Sequence, residues 1–152
     1  MGIVYRIDKE KGCTLVRWNG VVSADAFLAH VKRLSSDPDW PPPRRLHLTD
    51  LHGTTLDASM EEAVIEKAAQ LYGEHQDKVV GMKVAIVAGK AFNKAVIFER
   101  VISRYGATAI VFNFLDSACT WLGIDNDEMK RSLQQLRAKA RGGKKSPRGG
   151  RL

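Results

Sequence analysis

Long apolar runs are missing from this chain. No stretch of about 18 apolar residues occurs, so no transmembrane helix is expected. Met1 to Lys11 reads as strand and turn and lacks the apolar segment of a secretory signal. Cysteine is scarce. Cys13 and Cys119 are too few for a disulfide framework and show no metal-ligand spacing. Without an export signal both read as reduced thiols, and the protein as cytoplasmic. Aromatic residues make up 7% of the chain and are scattered, which excludes the stacked aromatic face of a base-reading sheet. No G-x-S-x-G, G-x-G-x-x-G or H-E-x-x-H pattern is present, so neither a catalytic class nor a cofactor is indicated.

What is present is enough for one domain. The 152 residues are 44% hydrophobic, sufficient to bury a real core. The net charge of +7 is unevenly placed. Residues 1–136 hold 17 basic and 17 acidic side chains, so the whole excess lies in residues 137–152. A nucleic-acid role inferred from overall charge would therefore rest on this end alone.

The patterning alternates strands and helices. Ile3 to Asp8 and Cys13 to Trp18 alternate apolar with polar positions around Lys9 to Gly12, which predicts an antiparallel hairpin closed by Asn19-Gly20. Ser23 is placed to cap a helix carrying Phe27, Leu28, Val31 and Leu34, which should stop before Asp37-Pro38. Asp39 to Pro43 reads as an extended, polyproline-like connection, with Trp40 either packed on it or exposed. A third strand is expected from Arg45 to about Asp50, followed by a loop at Gly53-Thr54-Thr55. Ser59 and Glu62 have capping-box spacing for a second helix with a stripe of Ala63, Val64, Ala68 and Leu71. Val79 to Ala88 is strand-like, and its unbroken Val84 to Val87 run suggests burial on both faces. Asn93 would cap a third helix with Val96, Ile97, Val101 and Ile102 inward, ended by Gly106. Ala109 to Phe114 is the fifth strand. Asp116 would cap a short helix with Trp121 in the core, and Asp125 to Lys139 a last one with a narrow stripe of Met129, Leu133 and Leu136. The fold class that follows is α/β: a mixed sheet of four or five strands with packed helices. Three regions are expected, an α/β domain over residues 1–123, a C-terminal helix over 124–140, and a disordered basic tail over 141–152.

The opening hairpin, the Leu46-His47-Leu48-Thr49-Asp50-Leu51 strand end, the Lys83 to Val87 strand and the Val111-Phe112 strand leading to Ala118-Cys119-Thr120-Trp121-Leu122 together resemble the SpoIIAA-like branch of the STAS superfamily, over about residues 3–123. The resemblance implies a non-enzymatic regulatory module that binds a protein partner. In the founding members a serine just after the third strand's aspartate is phosphorylated. Asp50 matches that aspartate, but Leu51-His52-Gly53-Thr54-Thr55 follows without a serine, so Thr54 or Thr55 is the nearest hydroxyl.

Two loops form the candidate rim for a protein or a small anionic ligand. Asp50, His52, Thr54 and Thr55 would lie at a strand's carboxyl end, where open α/β sheets tend to hold ligands; the same residues are also ordinary turn formers. Gly89, Lys90, Asn93 and Lys94 link a strand to a helix and could hold an anion, although the run is not a P-loop and is equally a solvated crossover. His47 and Asp50 should face opposite sides of their strand, which argues against a metal site. The tail residues Arg141, Lys144, Lys145, Arg148 and Arg151 could meet nucleic acid or anionic lipid without sequence preference, or simply keep the chain soluble.

Overall fold

Asp8 and Gly12 make the first turn. The Lys11 amide donates to Asp8 Oδ1 at 3.0 Å, and Gly12 adopts a φ of +66°, open to glycine at no steric cost. The turn joins β1 (Gly2–Asp8) to β2 (Cys13–Val22) as an antiparallel pair. The computed structural model describes residues 2–141, with side chains through Leu136. Helix α1 (Ala24–Ser35) follows, and the Ala26 amide donates to the Ser23 side chain at 3.2 Å, the expected N-cap. Then come β3 (Leu46–Leu56), α2 (Glu62–Gly73), a single turn α3 (Gln76–Val79), β4 (Lys83–Val87), α4 (Phe92–Ile102), β5 (Thr108–Phe112), α5 (Leu115–Leu122) and α6 (Asn126–Arg141).

The five strands stand in the sheet in chain order, β1 antiparallel to β2 and the other neighbours parallel. This is the mixed α/β sheet that the patterning predicts. Chain order has a direct consequence. Right-handed crossovers between successive parallel neighbours all fall on one side of the sheet. Accordingly α1, α2 and α4 pack on one face through Val31, Leu34, Ile65, Tyr72, Ala95 and Ile102. The opposite face must be covered by something else. Helices α5 and α6 do so, placing Cys119, Leu122, Met129, Leu133 and Leu136 on Leu15, Leu48, Ala85 and Val87. The narrow stripe of α6 is thus part of the core: Met129, Leu133 and Leu136 are all but inaccessible to solvent.

Several boundaries differ from the sequence reading. Strand β2 continues through Asn19-Gly20 to Val22, and β3 continues through Gly53-Thr54-Thr55 to Leu56, because these stretches pair with each other. Between Arg17 and Asn19 the register slips, with Asp50 opposite Arg17 but Gly53 opposite Asn19. The extra residue in β3 is a bulge, and it exchanges the faces on which later side chains lie. Ser59 does not cap α2, which starts after Glu61; its oxygen accepts from the Ala24 amide at 2.9 Å and so ties the start of α1 to the β3–α2 link. The buried stripe of α2 is Ile65, Ala68, Ala69 and Tyr72, rotated from the expected one. Asn93 lies inside α4, which starts after Ala91, and Val96 and Ile97 are only half-buried. Asp116 is in the first turn of α5 rather than at its cap. Val79 and Val80 belong to α3 and its end, not to β4. The Trp40 segment is not extended: backbone bonds from Trp40 to Asp37 and from Arg45 to Pro42 make successive turns, and Trp40 is buried.

If α6 is a structural cover, Leu133→Ala should lower stability by about 2–5 kcal/mol, the usual cost of a buried leucine truncation. Gln134→Ala, on the exposed side of the same turn, should stay within about 0.5 kcal/mol. Urea midpoints of the two variants check this.

Candidate functional site

The face covered by α1, α2 and α4 is not fully packed. Between it and those helices lies a cavity of about 70 Å³. Strand β3 lines it with His47, Thr49 and Leu51, and after the bulge with Leu56; β4 adds Val84 and Ile86. Helix α4 contributes Lys94, Ala95 and Phe98. Ring contacts frame it: Trp18 meets Phe27 at 4.9 Å, Phe27 meets Phe98 at 6.4 Å, and Phe98 meets Tyr72 at 6.1 Å. Such aromatic chains are stiff and leave gaps that small side chains do not fill. A second void of about 20 Å³ shares His47, Tyr72, Val84 and Phe98 with the first and adds Trp40 and Met82. Thr49, mid-way along the central strand, is only half-buried because it looks onto the cavity.

The polar groups around this cavity are unusual. His47 Nε2 lies 2.9 Å from Thr49 Oγ1. The other ring nitrogen of His47, Nδ1 of His30 on α1, and Trp40 Nε1 are buried without a hydrogen-bond partner among the described residues. Burial pushes the imidazole of His30 down to about 3 and that of His47 down to about 4, so both are neutral near pH 7. Among the described residues Lys94 is the one charged side chain on the wall, and it is half-buried.

The rim residues are only partly assembled. β3 and β4 are neighbours, and Gly89 packs beside His52: a Cβ on Gly89 would lie 3.8 Å from His52 Cα. Lys90 and Asn93 are exposed close by, while Lys94 turns to the cavity. Asp50 is turned away from the rim. It is buried on the α5–α6 face and pairs with Arg17 at 3.1 Å, while its other oxygen accepts from the His52 amide at 2.9 Å. The His52 ring is exposed and 3.9 Å from Asp50. Thr54 and Thr55 lie within β3, not in a loop. The Thr54 hydroxyl is buried and donates to the Gly20 carbonyl at 2.7 Å, so only Thr55 presents a hydroxyl to solvent. The strand persists here because β-branched Thr54 and Thr55 suit the ladder better than the single Gly53 breaks it.

Cys13 and Cys119 are buried free thiols, raised by burial to about 12 and about 11, and so remain protonated. Among the described residues no helix is long and apolar enough to cross a membrane. Arg141 ends α6, and Lys144, Lys145, Arg148 and Arg151 lie outside the described residues. The cavity itself was missed at the sequence level. The signal available was His47 between two buried leucines, a polar residue on a strand face where an apolar one is usual.

No protein-family model matches this chain, and no curated protein matches it.

The two histidines make stability depend on pH. Each ionises at 6.5 when unfolded but much lower when folded, so the unfolded state takes up protons first. Their contribution is complete above 6.5 and is lost as pH falls through 6.5 toward about 4 for His47 and about 3 for His30. Each site should add a slope of about 1.4 kcal/mol per pH unit within its window. Comparing unfolding free energies of the wild type and His47→Gln across that range should show a shallower fall in the variant.

Proposed function

We propose that this protein is a small-molecule binding module, with the apolar part of an amphiphilic ligand in the sheet–helix cavity and its anionic end at Lys94. The observation that carries this reading is a largely apolar void with Lys94 on its wall. Interiors contain few voids larger than a water molecule, and an apolar one stays dry or takes an apolar guest. The benzene-binding cavity of about 150 Å³ made by a leucine deletion sets the scale. At about half that volume, this cavity takes only a short alkyl segment, and the rest of a longer chain would lie along its half-buried edge. Half-buried Leu56 and Lys94 lie at its outer edge, where an anion would meet the ammonium while the chain lies against Ile86, Ala95 and Phe27.

This keeps the non-enzymatic regulatory module implied by the STAS resemblance and moves its ligand from the rim of Asp50 and Thr54 to the interior beneath it. In this reading the small anionic ligand suggested by Gly89 to Lys94 keeps Lys94 alone as its contact. Decanoate and 1-decanol serve as probes. Ala95→Phe should fill the void and abolish binding of both in titration calorimetry, with the circular dichroism spectrum unchanged. Lys94→Gln should weaken decanoate by about twofold to fivefold, the range of a partly exposed ion pair, and spare decanol. Failure of the wild type to bind either probe overturns the reading.

A second reading rests on the separation of charge. Residues 137–152 hold seven basic side chains and no acid, beside a remainder of zero net charge, which supports weak polyanion binding by this end alone. A chain ended after Leu136 keeps the buried stripe of α6. It should melt within a few degrees of the full chain while losing affinity for duplex DNA. Duplex affinity that persists at high salt in the shortened chain would sink this reading.

A further inference from the structure

We infer that the cavity selects a ligand bearing a hydroxyl group part-way along its apolar chain, recognised by Thr49 and His47. The inference rests on the cavity being a binding site and assigns the chemistry of its inner wall.

The placement follows from topology. Helix α4 leaves the carboxyl end of β4 and returns toward the start of β5, so it runs against the strands. Lys94, in its first turns, therefore lies toward the carboxyl ends of β3 and β4. Phe98 is one turn further on, about 5–6 Å along the axis, and it lines both voids. His47 is the second residue of β3 and also lines both voids. From His47 to Leu51 the strand covers roughly 13 Å. The cavity thus has a cationic end at Lys94, an inner end at His47, and Thr49 between them.

His30, His47 and Thr49 interrupt an otherwise largely apolar wall, and none of the three is charged. His47 is buried, and so is His30 across the cavity on α1. Each keeps one ring nitrogen without a partner, and a buried polar group left unpaired is costly. The bond between Thr49 and His47 decides which ligand group fits. If the hydroxyl of Thr49 donates to His47 Nε2, the threonine oxygen still has a lone pair to offer. If instead His47 Nε2–H donates, the threonine proton is free to give. A ligand hydroxyl satisfies both cases, because it is donor and acceptor at once. A carbonyl satisfies only the second. A second carboxylate would face two neutral imidazoles and no cation, with nothing to offset its desolvation. A plain hydrocarbon leaves the polar wall as it is.

The test compares decanoate with hydroxydecanoates carrying the hydroxyl next to the carboxylate, mid-chain, or at the far end, by titration calorimetry on the full chain. The mid-chain isomer should bind about fivefold more tightly than decanoate, the worth of one net hydrogen bond, and the adjacent isomer should show no gain. In Thr49→Val the ratio between mid-chain isomer and decanoate should fall to about one, and Thr49→Ser should restore it. The positional series needs no variant, so it stands even if Thr49→Val fails to fold. Equal binding of decanoate and every isomer overturns this inference and leaves the amphiphile reading intact. An undiminished ratio in folded Thr49→Val overturns it as well. If no probe binds, both readings fall together.

Discussion

Over Leu46 to Asp50 strand β3 is hydrogen-bonded on both edges, and each of its buried polar side chains must find its partner inside the protein. The constraint is severe, because an unpaired polar group in a low-dielectric interior costs more than a hydrogen bond usually contributes. Three arrangements along the strand answer it. Asp50 pairs with Arg17 on the neighbouring β2. Thr54 donates back to the Gly20 carbonyl. His47 and Thr49 use each other, which leaves the pair incompletely satisfied and facing a void. The first two hold the sheet together. The third is where packing and satisfaction both stop short.

A void of this size costs about 2 kcal/mol at roughly 24 cal/mol per Å³ of unfilled volume, before the unpaired nitrogens are considered. Against a net stability of about 5–15 kcal/mol for a domain, that is a sizeable fraction. Departures from consistent packing concentrate where a protein does something other than fold. The aromatic frame from Trp18 through Phe27, Phe98 and Tyr72 to Trp40 keeps the space open, since these rings support one another instead of collapsing inward.

The architecture was legible because its signals are local. Alternation marked the hairpin, the unbroken Val84 to Val87 run marked a strand buried on both faces, and Ser23 caps α1 where its chemistry suggests. The errors share a cause: tertiary pairing overrode local cues. Asn19-Gly20 and Gly53 read as breaks, yet each lies in a strand extension stabilised by the other. The bulge near Leu51 depends on the partner strand, so the Gly53-Thr54-Thr55 stretch taken alone reads as a loop. The rim residues Gly89 and His52 do meet, as neighbouring strands require, but Asp50 turns away into an ion pair. The cavity was invisible for a different reason. A void is a property of what three helices fail to fill, and no single segment encodes it.

Because α6 closes one face of the sheet, the two ends of the described chain depend on each other. Arg6 on β1 donates to Gln135 on α6 at 3.0 Å, across 129 positions of sequence. A ribosome delivers β1 first and α6 last. Until the last helix emerges, Val4, Leu15 and Leu48 form an apolar sheet surface with no cover beyond α5. Synthesis therefore passes through an interval in which all five described strands and their crossovers are present but only one side is finished. During that interval a second nascent copy or a chaperone competes for the face that α6 will occupy.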